Sequence, residues 1–573
     1  MSATAQQPSA KKKNKTGQRL LAIIAVLLLV NIAAYYFYGQ IDLTQDRRYT
    51  ITPATRNMLQ HLDNRVEVQV FLTGDELPAA FQSLAQSTED LLRNFRDISN
   101  NKVDYHFTDP LGKDTSALAT LAQFRMTGIP VTINAGKKGT TQKMIFPWAL
   151  VTTIDATGKA TAYPVFLQET NTQNVSRTLL NKSVILLEYN LANAIHQISK
   201  KEKPAVAYLT GNEEEFGYSI WSAFNTLGRY YNIDTYNLQQ APVIPVRYKT
   251  VIINRPMKAF TDEDKFKLDQ YVMNGGSLYM NINAVSGSLD SFRSAPRFNA
   301  MPVELQLNDL LFHYGVRVNP NLIEDAVDFA GIPLAAPGSQ GAPEIRPWVY
   351  FPVLKAGSEH PIVKNMGGIL SRFVSSIDTN TNDAAIRKTI LLASSRYSKI
   401  EAAPLPVILE SAIEDVRPAT FTKRNVPAAV LLEGPFRSFY AGHVPQSVQR
   451  FADSLHLQVV PRVKSPGKII IAGDGDLMVN EVSAKEGPLE LGIYRYSDYK
   501  FDNKSFLLNS IEYLTDPDNL LEARTRNIDN RILDPKRVEQ ERSTWQFVNI
   551  GIPIALILVL GAVFFFIRKK KYA

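Results

Sequence analysis

The 573 residues include no cysteine. That one absence removes disulfides, thiolate nucleophiles and Cys-ligated metals, so every domain must be held by its own core. Histidine is sparse. The seven (His61, His106, His196, His313, His360, His443 and His456) include no close metal-ligand pair, so zinc chemistry has no support. The phosphate-binding Walker A sequence is missing as well: Gly467-Lys468 is followed by Ile469 and lacks the preceding glycines, which excludes ATP hydrolysis by that route. No G-x-S-x-G nucleophile elbow occurs either. Nothing in the sequence calls for a cofactor.

Two long apolar runs are present. Leu20–Tyr38 follows Lys11, Lys12, Lys13, Lys15 and Arg19, and Phe547–Ile567 precedes Arg568, Lys569, Lys570 and Lys571. At about 1.5 Å per residue each spans roughly the 30 Å hydrocarbon core of a bilayer. Lys and Arg collect on cytoplasmic flanks, so both termini are expected inside, with the intervening chain on the periplasmic side. Removing those nine tail charges from the net +8 leaves the middle near neutral. The basic excess therefore anchors the chain in a membrane and gives no footprint for nucleic acid. Arg47, Arg48, Lys536, Arg537 and Arg542 lie on the outer flanks and weigh against this topology. Long domains cross regardless of charge, and Asp42, Asp46, Glu539 and Glu541 are interleaved with them. A cleaved signal peptide is the alternative for the first run. Its length and the aromatic belt Tyr35-Tyr36-Phe37-Tyr38 favour an uncleaved anchor.

Between the anchors the pattern is α/β. Val66–Leu72 alternates apolar and polar residues, then Leu77, Phe81, Leu84, Leu91, Phe95 and Ile98 mark one face of a long helix. Strands are predicted at 103–107, 128–133, 143–154 and 159–167, the last two joined by the turn 155–158, and a helix at 183–199. The arrangement resembles a thioredoxin-like layer without its redox cysteines. The charged break 200–204 opens a second unit, in which apolar strands alternate with helices as in a parallel, doubly wound sheet. There Thr261 is a predicted N-cap, with Asp262, Glu263 and Asp264 in the first turn and Gly275-Gly276 as the stop. Residues 284–386, rich in Pro and Gly, read as a long insertion or surface loop with a helix only near 305–314. The expected division is a basic tail (1–19), a first anchor (20–38), two tandem α/β domains (39–200 and 201–515), a stalk (516–546), a second anchor (547–567) and a basic tail (568–573).

Site-like residues are few. Gly473-Asp474-Gly475-Asp476 follows a predicted strand, and carboxylates at i and i+2 beyond a strand end can hold a cation or a polar ligand. Ordinary Gly-Asp turn chemistry explains the same residues. Thr210–Glu215 (TGNEEE) also follows a strand, which makes Asn212 and Glu213 candidate interaction residues; acidic residues at a helix start are also common dipole partners. Asn31 and Asn549, in the anchors, are candidates for polar contacts between membrane helices.

Several short motifs occur in the order found in one family: Asp42-Leu43-Thr44, Arg47–Thr52, Val66–Leu72 with Gly74-Asp75, Thr210–Glu213, Ala472–Asn480, Asn509–Leu514, and Arg524 with Arg531–Asp534 before the second anchor and Lys-rich tail. On these the chain resembles GldG, the accessory, substrate-binding-like membrane subunit of the ABC transporter associated with gliding motility. The resemblance implies a multi-span ABC permease subunit and a cytoplasmic ABC ATPase subunit as partners. It also implies a central domain like the class I glutamine amidotransferases, whose Cys nucleophile is missing here. The resulting expectation is a non-catalytic inner-membrane protein that couples its outer domains to a transporter. A tethered envelope hydrolase or ligand-binding protein using Asp474 and Asp476 is the alternative, as is a purely structural scaffold. Homodimerisation stays open.

Overall fold

The computed structural model describes residues 23–27, 50–525 and 535–572, except 75–76, 113–115, 135–139, 155–157, 159, 169–176, 201, 294, 336–342, 380–383, 413–415, 498 and 517–519. Asn31 and most of the first apolar run lie outside the described residues, as do residues 42–49; residues 23–27 of that run are helical and exposed. The chain divides into two units, Ile51–Asn527 and the two terminal segments.

Within Ile51–Asn527 a first lobe is built on strands β1 (Val66–Val70), β2 (Val103–Phe107), β3 (Trp148–Ile154) and β4 (Ala160–Phe166), in the order β2-β1-β3-β4. β1 and β2 are parallel and joined through helix α1 (Ala79–Ile98); β3 and β4 run antiparallel to their neighbours. Alternation of burial along β1 puts Val66, Val68 and Val70 in a core with Phe81, Leu84 and Phe95 of α1. Helix α2 (Arg177–Ser199) adds Leu187, Leu191 and Ile195 to it. The predicted strand 143–154 is in fact two. Pro147, which has no N–H to give to a ladder, separates Thr140–Ile145, paired with Ile129–Asn134, from β3.

The second lobe has one ten-stranded sheet. Its strands are β5 (Ala205–Thr210), β6 (Asn232–Asn237), β7 (Tyr248–Asn254), β8 (Ser277–Asn281), β9 (Phe329–Ala335), β10 (Pro343–Ala356), β11 (Arg387–Ala393), β12 (Pro427–Gly434) and β13 (Gly467–Ala472), with Ile369–Leu370 paired to β10. The order is β9-β10-β11-β12-β13-β8-β7-β5-β6. The five strands β6-β5-β7-β8-β13 are parallel, and β12 to β9 continue the sheet antiparallel. The sheet is thus mixed, and the all-parallel expectation holds for only part of it. Its middle strands are buried on both faces. Val251 and Ile253 point into one core while Ile252 points into the other; Ile469 and Ile471 divide from Ile470 in the same way.

Helix α3 (Asp262–Met273) covers the first face. Its start is a capping box in which Thr261 and Asp264 each bond the other's backbone N–H. Helix α4 (Asn503–Thr515) covers the second with Phe506, Leu507 and Ile511. The stretch read as an insertion, 284–386, supplies β9 and β10 and a third core around Trp348, Phe351 and Phe373. Pro347 and Pro352 lie inside β10 and a register shift interrupts its pairing with β9, which is why no clean strand pattern marks it. The stalk is shorter than expected at its start. Leu520 and Leu521 are 1% exposed in the 3-10 turn Leu520–Thr525, and Leu520 joins the first lobe's core. In the other unit, helix α5 (Pro535–Tyr572) contains the second apolar run.

Candidate functional site

The parallel strands have the order 2-1-3-4-5 by position in the chain, one of the two common doubly wound orders. In such sheets ligands meet the crevice at the strands' carboxyl ends. Thr210–Glu215, Asn254-Arg255 and Asn281–Asn283 start on the last residues of β5, β7 and β8, and Gly473–Asp476 follows β13, all on that edge.

The glycines of the last turn are fixed by close approach. A Cβ on Gly473 would lie 2.1 Å from the Ser375 carbonyl oxygen, and one on Gly475 would lie 2.5 Å from Cβ of Arg255. Between them Asp474 is fully buried. Its Oδ1 accepts from the Asp476 N–H at 2.7 Å and its Oδ2 from the Arg372 N–H at 2.9 Å. Burial, and then the neighbouring Asp476 charge, push the Asp474 carboxyl up to about 8. Asp476 pairs with Arg255 at 3.0 Å, and Arg255 also reaches Glu215 at 3.4 Å. The Asp476 charge, then burial and Glu215, bear on the Arg255 guanidinium, whose proton affinity is raised. Arg372 pairs with Glu481 at 2.9 Å and faces the rings of Phe351 and Tyr494.

Asn212 is also fully buried. Its carbonyl accepts from the N–H groups of Met257 and Lys258 at 3.0 Å, and its side chain donates to the Ala259 carbonyl at 3.2 Å. Glu213 is exposed in the left-handed region, at φ 59°. Asn281 donates to Asn254 Oδ1 at 2.8 Å, and both are buried at their strand ends.

The structure therefore joins Asp474 and Asp476 in one network and ties Asn212 into the next loop. Asn549 belongs to the other unit, where it is exposed on α5. Glu215, from the Thr210–Glu215 motif, completes the network together with three residues that sequence reasoning missed: Arg255, Arg372 and Asn281, whose carbonyl accepts from the Arg255 N–H at 2.9 Å. The apolar strands ending in Asn254 and Asn281 carried a readable signal, a polar residue where burial continues. Both carboxylates of the turn are committed to backbone donors or to arginine, an arrangement suited to locking loops together. Among the described residues no group of three or more His, Asp or Glu side chains is placed to hold a metal. If Arg255 holds these loops, Arg255→Met should lower the unfolding free energy by about 1–2 kcal/mol, a figure reduced for partial exposure. Thermal melts of the purified chain would measure this, and a variant indistinguishable from wild type would remove the ion pair from the lock.

Among the described residues one helix, Glu541–Lys570 within α5, is long and apolar enough to cross a membrane, and the body of the chain is mixed α/β. Residues 203–510 match the family described as an ABC-type uncharacterized transport system, and residues 45–152 match a domain of unknown function. The chain belongs to this ABC transport auxiliary family, whose members are accessory proteins of ABC transporters. Comparison with curated proteins gives no match. Among solved structures, the mmIFT52 N-terminal domain is similar at 14% identity and TM-score 0.31, over 54% of this chain and 97% of that one. A ThuA-like protein from Parabacteroides merdae is similar at 13% identity and TM-score 0.26, over 58% and 93%.

Proposed function

We propose that this chain is a non-catalytic inner-membrane subunit that couples periplasmic domains to an ABC permease and its cytoplasmic ATPase. The observation that carries the reading is α5 in a chain of this family: its apolar stretch Glu541–Lys570 is 30 residues long and wholly unburied. Ile557, Leu558 and Phe566 are each more than 60% exposed. At about 25 cal/mol per Å² such a surface calls for lipid or partner helices. Asn549 would then offer a hydrogen bond to a neighbouring span. The first apolar run serves as the second anchor, which returns both termini to the cytoplasm. The link to gliding motility rests on the motif order given above.

The strand order β2-β1-β3-β4 supports a thioredoxin-like first domain within 39–200. The 2-1-3-4-5 order supports an amidotransferase-like second domain within 201–515. The missing Cys nucleophile and the committed carboxylates support a binding role over catalysis.

The test is affinity capture of the tagged chain from native membranes in mild detergent. A permease and an ABC ATPase should be recovered in fixed ratio, and deletion of residues 20–38 and 547–567 should abolish that recovery. Unchanged recovery without the two segments would overturn the anchor role.

A further inference from the structure

Both ends of the folded body meet in the first lobe. The chain enters at Ile51, which is buried in the same core as Leu520. Glu188 of α2 holds this entry, accepting from the Thr52 N–H at 2.8 Å and the Thr52 hydroxyl at 2.7 Å. The exit is the turn Leu520–Thr525, whose Leu521 and Ala523 pack on Tyr189 of the same helix. Helix Pro53–Gln60 and the exit turn come within 8 Å of each other, Cα to Cα. Residues 39–50 join this place to the first apolar run, and residues 526–534 join it to α5. Even fully extended, at about 3.5 Å per residue, those connections reach only about 42 and 32 Å. Each run therefore meets the other at an effective concentration on the order of millimolar, and any free partner must compete with it. The two terminal segments also form one unit, separate from the body.

The outer ends of the two runs are chemically matched. Pro553 lies inside α5 and has no N–H, so the Asn549 carbonyl lacks the i+4 donor that a helix normally supplies. In an apolar span a freed carbonyl must find its donor elsewhere. With the outer ends, Tyr38 and Phe547, at one depth, Tyr35 lies about 4.5 Å in and Asn549 about 3 Å in. The Tyr35 phenol is thus level with that carbonyl. Asn31, Tyr35 and Tyr38 recur at i, i+4 and i+7, which is one face of a helix. Asn31 falls about 7.5 Å deeper than Asn549, so the two asparagines do not bond each other.

We propose that Leu20–Tyr38 is the partner that covers α5. The two runs pack antiparallel through the face of Asn31, Tyr35 and Tyr38, and the Tyr35 phenol donates to the Asn549 carbonyl. A transporter subunit then meets a helix pair, and one face of α5 is already taken. The inference rests on the two-anchor reading above and goes beyond it by naming what each anchor packs against.

The experiment exploits the absence of cysteine, since two introduced thiols are then the only two in the chain. In native membranes, oxidation of the full chain carrying Tyr38→Cys and Gln546→Cys should close an intramolecular disulfide, seen as faster migration of the denatured chain on a non-reducing gel. Tyr36→Cys with Val548→Cys, each turned by about 200° from the first pair, should not close in the same time. Tyr35→Phe should slow closure of the first pair about threefold, the worth of a typical interhelical hydrogen bond. Unchanged closure in that variant would overturn the hydrogen bond. A product of doubled mass would assign the α5 surface to a second copy, and equal closure of both pairs would remove the specific face; either result overturns the proposal. A membrane-impermeant maleimide separates these outcomes from failure of the two-anchor reading. Lys15→Cys and Lys570→Cys should label only after the membrane is permeabilised. Labelling of Lys15→Cys in sealed spheroplasts, or a mature chain lacking the first run, would overturn both readings. Correct labelling with no intramolecular disulfide would overturn the pairing alone.

Discussion

Trp348→Ala is expected to cost about 3–5 kcal/mol of folding free energy, the range for removing a fully buried large aromatic. Trp348 is fully buried at the centre of the third core. Its ring lies 5.2 Å from Phe351, 5.5 Å from Tyr350 and 5.6 Å from both Phe292 and Phe373. Its Nε1–H donates to Ser411 Oγ at 3.2 Å. Truncation opens a cavity under β10 and also strands the Ser411 contact. Denaturant titration followed by near-ultraviolet circular dichroism would report both stability and aromatic packing. Trp348→Phe, which keeps most of the ring volume, should recover more than half of the loss. A variant within about 1 kcal/mol of wild type would mean that this core does not contribute to the cooperative fold.

Asp474→Ala is expected to cost about 2–4 kcal/mol, because it leaves the Arg372 and Asp476 N–H groups without acceptors in a buried turn. It should also change how stability responds to pH. Burial and then the Asp476 charge push the Asp474 carboxyl up to about 8 in the fold, against about 3.9 in the unfolded chain. Between those values the folded state holds the extra proton. The contribution is therefore complete below about pH 4 and is lost as pH rises through about 8. Glu324, raised to about 7 by burial and then by the Glu401 charge, adds a slope of the same sign. The measurement is consequently the difference between wild type and variant: the variant's stability should fall less steeply from pH 5 to pH 8. Equal slopes would assign the dependence to other groups.

Much of the α/β framework was legible because helices and strands there follow their own periodicities. The start of α3 could be read residue by residue, since Thr261 and the three acidic residues after it are chemically matched to the helix's free N–H groups. β9 and β10 were hidden, because Pro347 and Pro352 break the usual strand signal and only pairing across the sheet makes the segment a strand. The Gly473–Asp476 turn was visible as a turn. Its partners were not: Arg255 and Asp476 are 221 positions apart and meet only once β7 and β13 are placed on either side of β8. A cavity of about 380 Å³ between the lobes was invisible for the same reason, since its wall combines residues from β3, β4, α2, the approach to β6, and α4. No local pattern encodes such a meeting.

The place of β13 has a consequence for how the protein is made. It lies between β8 and β12, hydrogen-bonded to both, yet emerges about 190 residues after β8. At roughly 5–20 residues per second of synthesis, the apolar edge of β8 waits about 10–40 s for its neighbour. Until then the nascent half-sheet presents unpaired backbone groups that any other strand can take up. Completion of the second lobe is thus a late, long-range event of the slow kind, and the newly made chain depends on protection of that edge until Gly467–Ala472 arrives.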